Sequence, residues 1–82
     1  MLKGLYRHNA TGKVYNVLGV GRAVENPAKL LVVYEQMQRG KLWGTNIVLE
    51  PGTIWTRAFE DFNKETNGKS KFVKLDGQLF HE

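Results

Sequence analysis

The chain has 82 residues and no cysteine, and its formal net charge is +4 at pH 7, from 12 Lys and Arg against 8 Asp and Glu. This length predicts one domain that buries only about 60–65% of its unfolded surface, and the lack of cysteine excludes disulfide-stapled secreted scaffolds and thiolate zinc motifs. The first residues, "MLKGLYRHN", lack the apolar core of a signal peptide, and no window is apolar enough to span a membrane, so we expect a cytoplasmic protein.

Short runs rich in Val, Leu, Ile, Tyr and Trp alternate with turn signals along the chain. The runs predict five strands, near residues 4–8, 13–20, 30–37, 53–57 and 71–75. The turn signals fall at 9–12, 25–27, 39–40, 51–52, 66–70 and 76–77, and Leu79-Phe80 can extend or cap the last strand. Strands at this spacing predict an all-β fold of about five strands, a small barrel or sandwich. A helical turn before the last strand, as predicted in residues 58–65, is common in SH3-like barrels, and an SH3-like barrel is the fold we expect.

The second and third predicted strands are apolar on both faces. In the second, Val14, Leu18 and Val20 alternate with Tyr15 and Val17; in the third, Leu30, Val32 and Tyr34 alternate with Leu31, Val33 and Met37. A half-exposed strand alternates apolar and polar residues more cleanly. Either both strands are central and strongly bent, or their outer face meets a second copy of the chain. Both explanations stay open, and we favour a homo-oligomer.

The segment 38–52, "QRGKLWGTNIVLEPG", is too long for a tight hairpin, whose loop is commonly about 2–5 residues. It also holds five large apolar residues that a solvated loop would not carry: Leu42, Trp43, Ile47, Val48 and Leu49. We therefore predict an inserted loop or extra hairpin that folds back on the barrel or reaches a partner.

One helical turn is predicted in the segment 58–65, "AFEDFNKE". Phe59 and Phe62 are three residues apart, so one turn of helix places both side chains on the same face. The segment is too short for a packed helix and suits a single α or 3₁₀ turn.

The sequence carries little that indicates catalysis. His8 and His81 titrate near neutral pH, but neither belongs to a metal or nucleophile motif. The "GVGR" of residues 19–22 lacks the third glycine and the following helix of a phosphate-binding loop. Glu60 and Asp61 are adjacent and would not face each other across a cleft. We expect no enzyme, no metal site and no cofactor.

Binding is better supported, because arginine and aromatic side chains recur along the predicted strands. Arginine grips phosphate or carboxylate in a bidentate manner, and aromatic faces stack on bases. Trp55 and Arg57 are two residues apart on a strand and share a face, as do Tyr6 and His8, with Arg7 on the opposite face. The ligand-binding candidates are Arg7, Arg22, Tyr34, Trp43 and Arg57.

Each candidate also has a purely structural explanation. Tyr34 and Trp55 are large enough to belong to the core of so small a domain. The arginines can pair with nearby carboxylates: Arg57 with Glu60 or Asp61, and Arg7 with Glu25 or Glu35.

A local excess of positive charge lies in residues 64–74. Its lysines are Lys64, Lys69, Lys71 and Lys74. They form an alternative, nucleic-acid-binding site, whose affinity would fall steeply with salt. We favour the simpler explanation of a solvated turn beside a charged edge strand.

The order of these motifs resembles the bacterial and phage family known as domain of unknown function 1653. The matching residues are Tyr6-Arg7-His8, Gly12, Tyr15, Val17, Gly19, Glu25, Val32-Val33-Tyr34, Trp55-Thr56-Arg57 and Phe62. The chain departs from the family pattern at residues 9–11, at 23–24 and at Ala58, and the segment 38–52 is atypical of short members. The resemblance implies an SH3-like β fold, makes a phage origin credible and implies no established activity.

Three functions follow as expectations. The first is a non-catalytic module that binds an anionic, nucleotide-like small ligand at a barrel rim or subunit interface. The second is a protein-interaction adaptor, or an inhibitor of a host protein, acting through residues 38–52. The third is nucleic-acid binding through the basic segment 64–74; no membrane partner is expected.

Overall fold

The computed structural model describes residues 3–66 and 68–75. These residues form nine strands: β1 Gly4–His8, β2 Val14–Ala23, β3 Asn26–Gln36, β4 Gly40–Lys41, β5 Val48–Leu49, β6 Ile54–Ala58, β7 Glu65–Thr66, β8 Lys69–Ser70 and β9 Phe72–Lys74. The helix among the same residues is α1, Phe59–Phe62. The predicted turn at 76–77, the cap from residues 79–80 and His81 lie outside the described residues. No helix in the described part of the chain is long and apolar enough to cross a membrane.

The architecture is a five-stranded antiparallel sheet with the order β6-β3-β2-β1-β9. Two small hairpins, β4–β5 and β7–β8, accompany it. The all-β prediction is confirmed. In the described residues, β6 and β9 are the two edges of the sheet, which does not close on itself through backbone pairing.

Strands β2 and β3 are longer than predicted, because the turn between them is tighter. The break predicted at 25–27 is only the two residues Val24 and Glu25, and Pro27 lies inside β3. Proline lacks the N–H of a ladder residue and is tolerated at irregular positions. The register shifts here, between Arg22 and Ala23, and the Arg22 guanidinium donates to the Pro27 carbonyl at 2.8 Å.

A β-bulge at Leu18 changes which faces the β2 side chains share. The register with β3 shifts between Val17 and Gly19, so one extra residue lies on β2. Beyond the bulge Val20 pairs with Val32, which belongs to the buried inner face. The prediction that placed Val20 on the opposite face from Val17 is therefore wrong, because simple alternation fails across a bulge.

The core lies on the inner face of the sheet, against α1. Its buried residues are Tyr6, Val17, Val32, Tyr34, Phe62 and Phe72, with Tyr15, Trp55 and Phe59 packed against them. The rings meet mostly edge to face, while Phe62 and Phe72 stack with centroids 4.0 Å apart. Four of these six buried residues are thus aromatic, and their rings pack against one another.

Helix α1 is shorter than the predicted segment 58–65, because it ends at Phe62 and β7 begins at Glu65. Asn63 closes the turn: its backbone N–H donates to the Phe59 carbonyl at 3.2 Å. Phe59 and Phe62 both turn toward the core, as their spacing predicts. The turn also places Asp61 beside the sheet edge at β6.

Candidate functional site

The segment 38–52 forms an ordered hairpin rather than a loose loop. Gly40 pairs with Leu49 and Lys41 with Val48. In the connecting loop the Leu42 carbonyl accepts a hydrogen bond from the Thr45 hydroxyl at 2.8 Å. Gly44 adopts a positive φ of 78°, which residues with a side chain rarely adopt. These bonds hold Trp43 at the hairpin tip, with 95% of its side chain exposed.

A buried glutamine attaches this hairpin to the sheet. Gln36 is only 6% exposed, and its amide nitrogen donates to the carbonyls of Leu49 and Gln38, both at 3.0 Å. Its amide oxygen accepts from the indole N–H of Trp55 at 2.8 Å. One side chain therefore fixes the hairpin and the Trp55 ring relative to each other.

Between the hairpin and the inner face lies a pocket of about 330 Å³. Four aromatic residues line it: Tyr15, Tyr34, Trp43 and Trp55. Three cationic residues line it as well: Lys13, Lys41 and Arg57. No acidic side chain is among the described residues that line the pocket. The pocket therefore combines aromatic surface for stacking with positive charge.

Two tyrosines form part of the wall of this pocket. The Tyr15 and Tyr34 rings meet edge to face with centroids 5.2 Å apart. Burial raises the pKa of the Tyr15 hydroxyl, the nearby Tyr34 raises it further, and Arg57 opposes both. Tyr15 is therefore a neutral hydrogen-bonding group at physiological pH.

Asp61 holds two cations beside the pocket. Its carboxylate accepts from the Arg57 guanidinium at 3.0 Å and from the Lys71 ammonium at 3.1 Å. The Lys71 hydrogen bond is the largest of the effects that lower the pKa of Asp61 below its ordinary 3.8, and Arg57 contributes. The Arg57 guanidinium also lies 5.4 Å from the centroid of the Phe72 ring, a cation–π contact.

This arrangement predicts acid sensitivity. Because folding lowers the pKa of Asp61, the stability that its pairing supplies is complete above the ordinary value of 3.8 and is lost as pH falls through the lowered value. We expect the stability difference between the wild type and Asp61→Asn to shrink from about pH 5 to about pH 2, measured as urea midpoints. A difference that stays constant over this range would show that the ion pairs contribute nothing.

The structure brings together three of the five predicted ligand-binding residues. Tyr34, Trp43 and Arg57 line the pocket. Arg7 lies elsewhere, exposed on β1, with its guanidinium 3.5 Å from the Asn9 side-chain oxygen. Arg22 is exposed near the β2–β3 turn. The face shared by Trp55 and Arg57 follows the prediction, since both contribute to the same pocket.

Some lysines of the basic segment 64–74 make contacts within the domain. Lys71 pairs with Asp61, and the Lys74 ammonium lies 5.6 Å from the centroid of the Tyr6 ring. Lys64 and Lys69 are exposed near the β7–β8 hairpin. Two of the four lysines thus have roles within the domain.

His8 contacts neighbouring side chains of the fold. Its Nδ1 lies 3.1 Å from the Thr11 hydroxyl, and its ring meets Phe72 edge to face at 4.8 Å. Burial lowers its pKa, and the charges of Arg57 and Lys71 lower it further. Within residues 3–66 and 68–75, no group of three His, Asp or Glu side chains could hold a metal ion.

Sequence reasoning missed Lys13, Gln36 and Lys41. Lys13 precedes β2 and Lys41 lies in β4, so only the folded hairpin brings both to one pocket. Gln36 comes at the end of β3, after its apolar residues, and its position in the strand was the one indication of its role. It lies two residues after Tyr34 and four after Val32, so it shares their buried face.

Comparison with known protein families gives a match for the chain. The family model DUF1653, whose description is "Protein of unknown function", matches residues 4–74. The chain belongs to this family. The match to DUF1653 runs from β1 through β9, so the hairpin and all residues that line the pocket lie within the matched region. No curated protein and no solved structure matches the chain.

Proposed function

We propose that this DUF1653 domain is a non-catalytic binding module for an anionic, nucleotide-like small molecule. One observation carries the proposal: four aromatic and three cationic residues line a single pocket between the β4–β5 hairpin and the sheet. Aromatic faces stack on nucleobases, and charged donors bind phosphate oxygens. The pocket offers both kinds of contact to one ligand.

The size of the pocket favours a single nucleotide. Its volume of about 330 Å³ is near the lower end of small-molecule sites, which run from about 300 to 1,000 Å³. A strand of nucleic acid needs an extended groove that follows several phosphates. The ligand is therefore a mononucleotide or a molecule of similar size.

We also infer that the sheet is an SH3-like barrel closed by side chains. Asp61 of α1 bridges Arg57 on the β6 edge to Lys71 beside the β9 edge. Arg57 also reaches the Phe72 ring of β9. We call these four residues the seam. They join the two edges of the sheet where backbone pairing does not.

The test is calorimetric titration of the protein with ribonucleotides, preceded by a thermal-shift screen. A ligand at about 100 times its Kd adds about 2.7 kcal/mol of stability, which moves the midpoint of so small a domain by roughly 10 °C or more. We expect Trp43→Ala to weaken binding by about 5- to 150-fold, the range that loss of one stacking contact of about 1–3 kcal/mol gives. Its stability should stay within about 0.5 kcal/mol, because Trp43 is exposed.

Arg22→Ala is the matched control, since it removes a cation that lies outside the pocket. It should bind as the wild type does. Equal losses in Trp43→Ala and Arg22→Ala would contradict the proposed location of the site, and no shift with any nucleotide would contradict the proposed ligand.

The hairpin tip favours a second candidate, a protein-interaction surface. Trp43 is 95% exposed and Ile47 is 55% exposed on the same loop, and exposed apolar groups of this kind mark contact sites. Trp43→Ala would then abolish capture of a host protein, while Arg22→Ala would retain it. Nucleotide titration separates the candidates, because a pure protein adaptor shows no heat with nucleotides.

We also propose that two copies of the chain associate through the outer face of the sheet. Leu18 is 39% exposed and Ile54 54% exposed. Light scattering of Ile54→Lys against the wild type tests it, and an unchanged mass would contradict it.

A further inference from the structure

The cations of the pocket differ in how far their charge is already balanced. Arg57 lies 3.0 Å from the Asp61 carboxylate. Lys13 and Lys41, by contrast, form no ion pair within the described residues. Because Arg57 shares the single charge of Asp61 with Lys71, its own charge is partly balanced, and the larger share of the unbalanced charge comes from the two lysine ammonium groups.

One of the two ammonium groups, that of Lys13, lies near the hairpin backbone. A Cβ atom placed on Gly40 would lie 3.1 Å from the Lys13 ammonium nitrogen, so the absence of a side chain there leaves room for it. Lys41 is the next residue along the same strand and lines the same pocket. Two lysines from separate elements thus line one pocket, which the aromatic rings also line.

We propose that the ligand carries a phosphomonoester, as in a nucleoside 5′-monophosphate, with the phosphate at Lys13 and Lys41 and the base among the aromatic rings. This inference rests on the proposed function and narrows its ligand class. A phosphomonoester carries a charge of about −1.5 to −2 at pH 7, which matches two free ammonium groups. A phosphodiester or cyclic nucleotide carries only one negative charge and would leave one lysine unbalanced.

The experiment compares ligands that differ in one feature at a time, by calorimetric titration at pH 7.5 and low salt. The four ribonucleoside 5′-monophosphates are titrated first. The tightest of them is then compared with its phosphate methyl ester, its parent nucleoside and ribose 5-phosphate. We expect the methyl ester to bind about tenfold or more weakly than the monophosphate, because it loses one charge-assisted contact.

Ribose 5-phosphate should also bind at least about tenfold more weakly, since it cannot stack. In Lys41→Ala the preference for the monophosphate over its methyl ester should fall to near unity, and Lys13→Ala should behave alike. Arg22→Ala, with an equal loss of net charge outside the pocket, should keep the full preference. This control separates a local contact from the general effect of a basic protein.

The outcomes distinguish the inference from the function on which it rests. Equal affinity for the monophosphate and its methyl ester would overturn the phosphomonoester assignment and leave a nucleotide-binding module standing. Equal affinity for ribose 5-phosphate and the nucleotide would overturn the assignment of the base to the aromatic walls. Binding of none of these compounds would overturn the proposed function together with this inference.

Discussion

Phe62→Ala is expected to lower the free energy of unfolding by about 3–5 kcal/mol, a large part of the stability of a domain this small. Phe62 is 2% exposed and stacks on Phe72 at 4.0 Å, with the ring planes 5° apart. It also meets the Tyr6 ring at 5.4 Å and the Tyr34 ring at 5.7 Å. Alanine would leave a cavity among three aromatic rings that backbone pairing holds in place.

Equilibrium unfolding in urea, followed by tryptophan fluorescence, measures this loss. Phe59→Ala is the matched control on the same helix, because Phe59 is only partly buried. It should cost less than Phe62→Ala. If Phe62→Ala fails to fold, Phe62→Leu keeps most of the volume and should show a smaller loss. Costs for Phe59→Ala that equal or exceed those for Phe62→Ala would place the core elsewhere.

Gln36→Met is expected to cost about 3 kcal/mol or more and to abolish ligand binding. Methionine has nearly the same shape as glutamine, but it cannot accept from the Trp55 indole or donate to the Leu49 and Gln38 carbonyls. Each buried polar group left unpaired costs about 1–3 kcal/mol. The hairpin would also lose its attachment to the sheet, so the pocket would lose one wall.

A double-mutant cycle with Trp55→Phe tests whether the hydrogen bond itself is responsible. Trp55→Phe removes the indole N–H and keeps an aromatic ring. If the bond couples the two residues, the double variant should be more stable than the sum of the single losses predicts. Additive losses would show that the cost of Gln36→Met comes from the hairpin contacts alone.

Much of the sheet could be predicted, because its strands follow period-2 patterns bounded by turn residues. The five strands of the main sheet lie where the apolar runs indicated: β1 has the predicted bounds, and the ends of the other four moved by one to four residues. Tyr34, Trp43 and Arg57 were predicted as ligand residues and lie together in the pocket. Trp55 and Arg57 could be paired in advance because residues two apart on a strand share a face.

Two kinds of feature could not be predicted: irregular backbone within strands, and contacts between residues far apart in the sequence. The bulge at Leu18 has no distinctive residue pattern, so simple alternation assigned Val20 to the wrong face. Lys13 and Lys41 are 28 positions apart and line one pocket only because the hairpin, which Gln36 attaches to the sheet, brings Lys41 there. The short hairpin β7–β8 was predicted only as a turn, since two-residue strands carry no periodicity.

The seam also determines how this domain can move. Side chains rearrange in picoseconds to nanoseconds when exposed, whereas parting paired strands requires the loss of several backbone hydrogen bonds at once. Because Arg57, Asp61 and Lys71 join the edges by side-chain contacts, the two edges can separate and rejoin while the ladders of β1, β2 and β3 stay intact. In native-state amide hydrogen exchange, the β6 amides that pair with β3 should exchange through local opening of this edge. The amides of β2 should exchange only when the whole sheet unfolds.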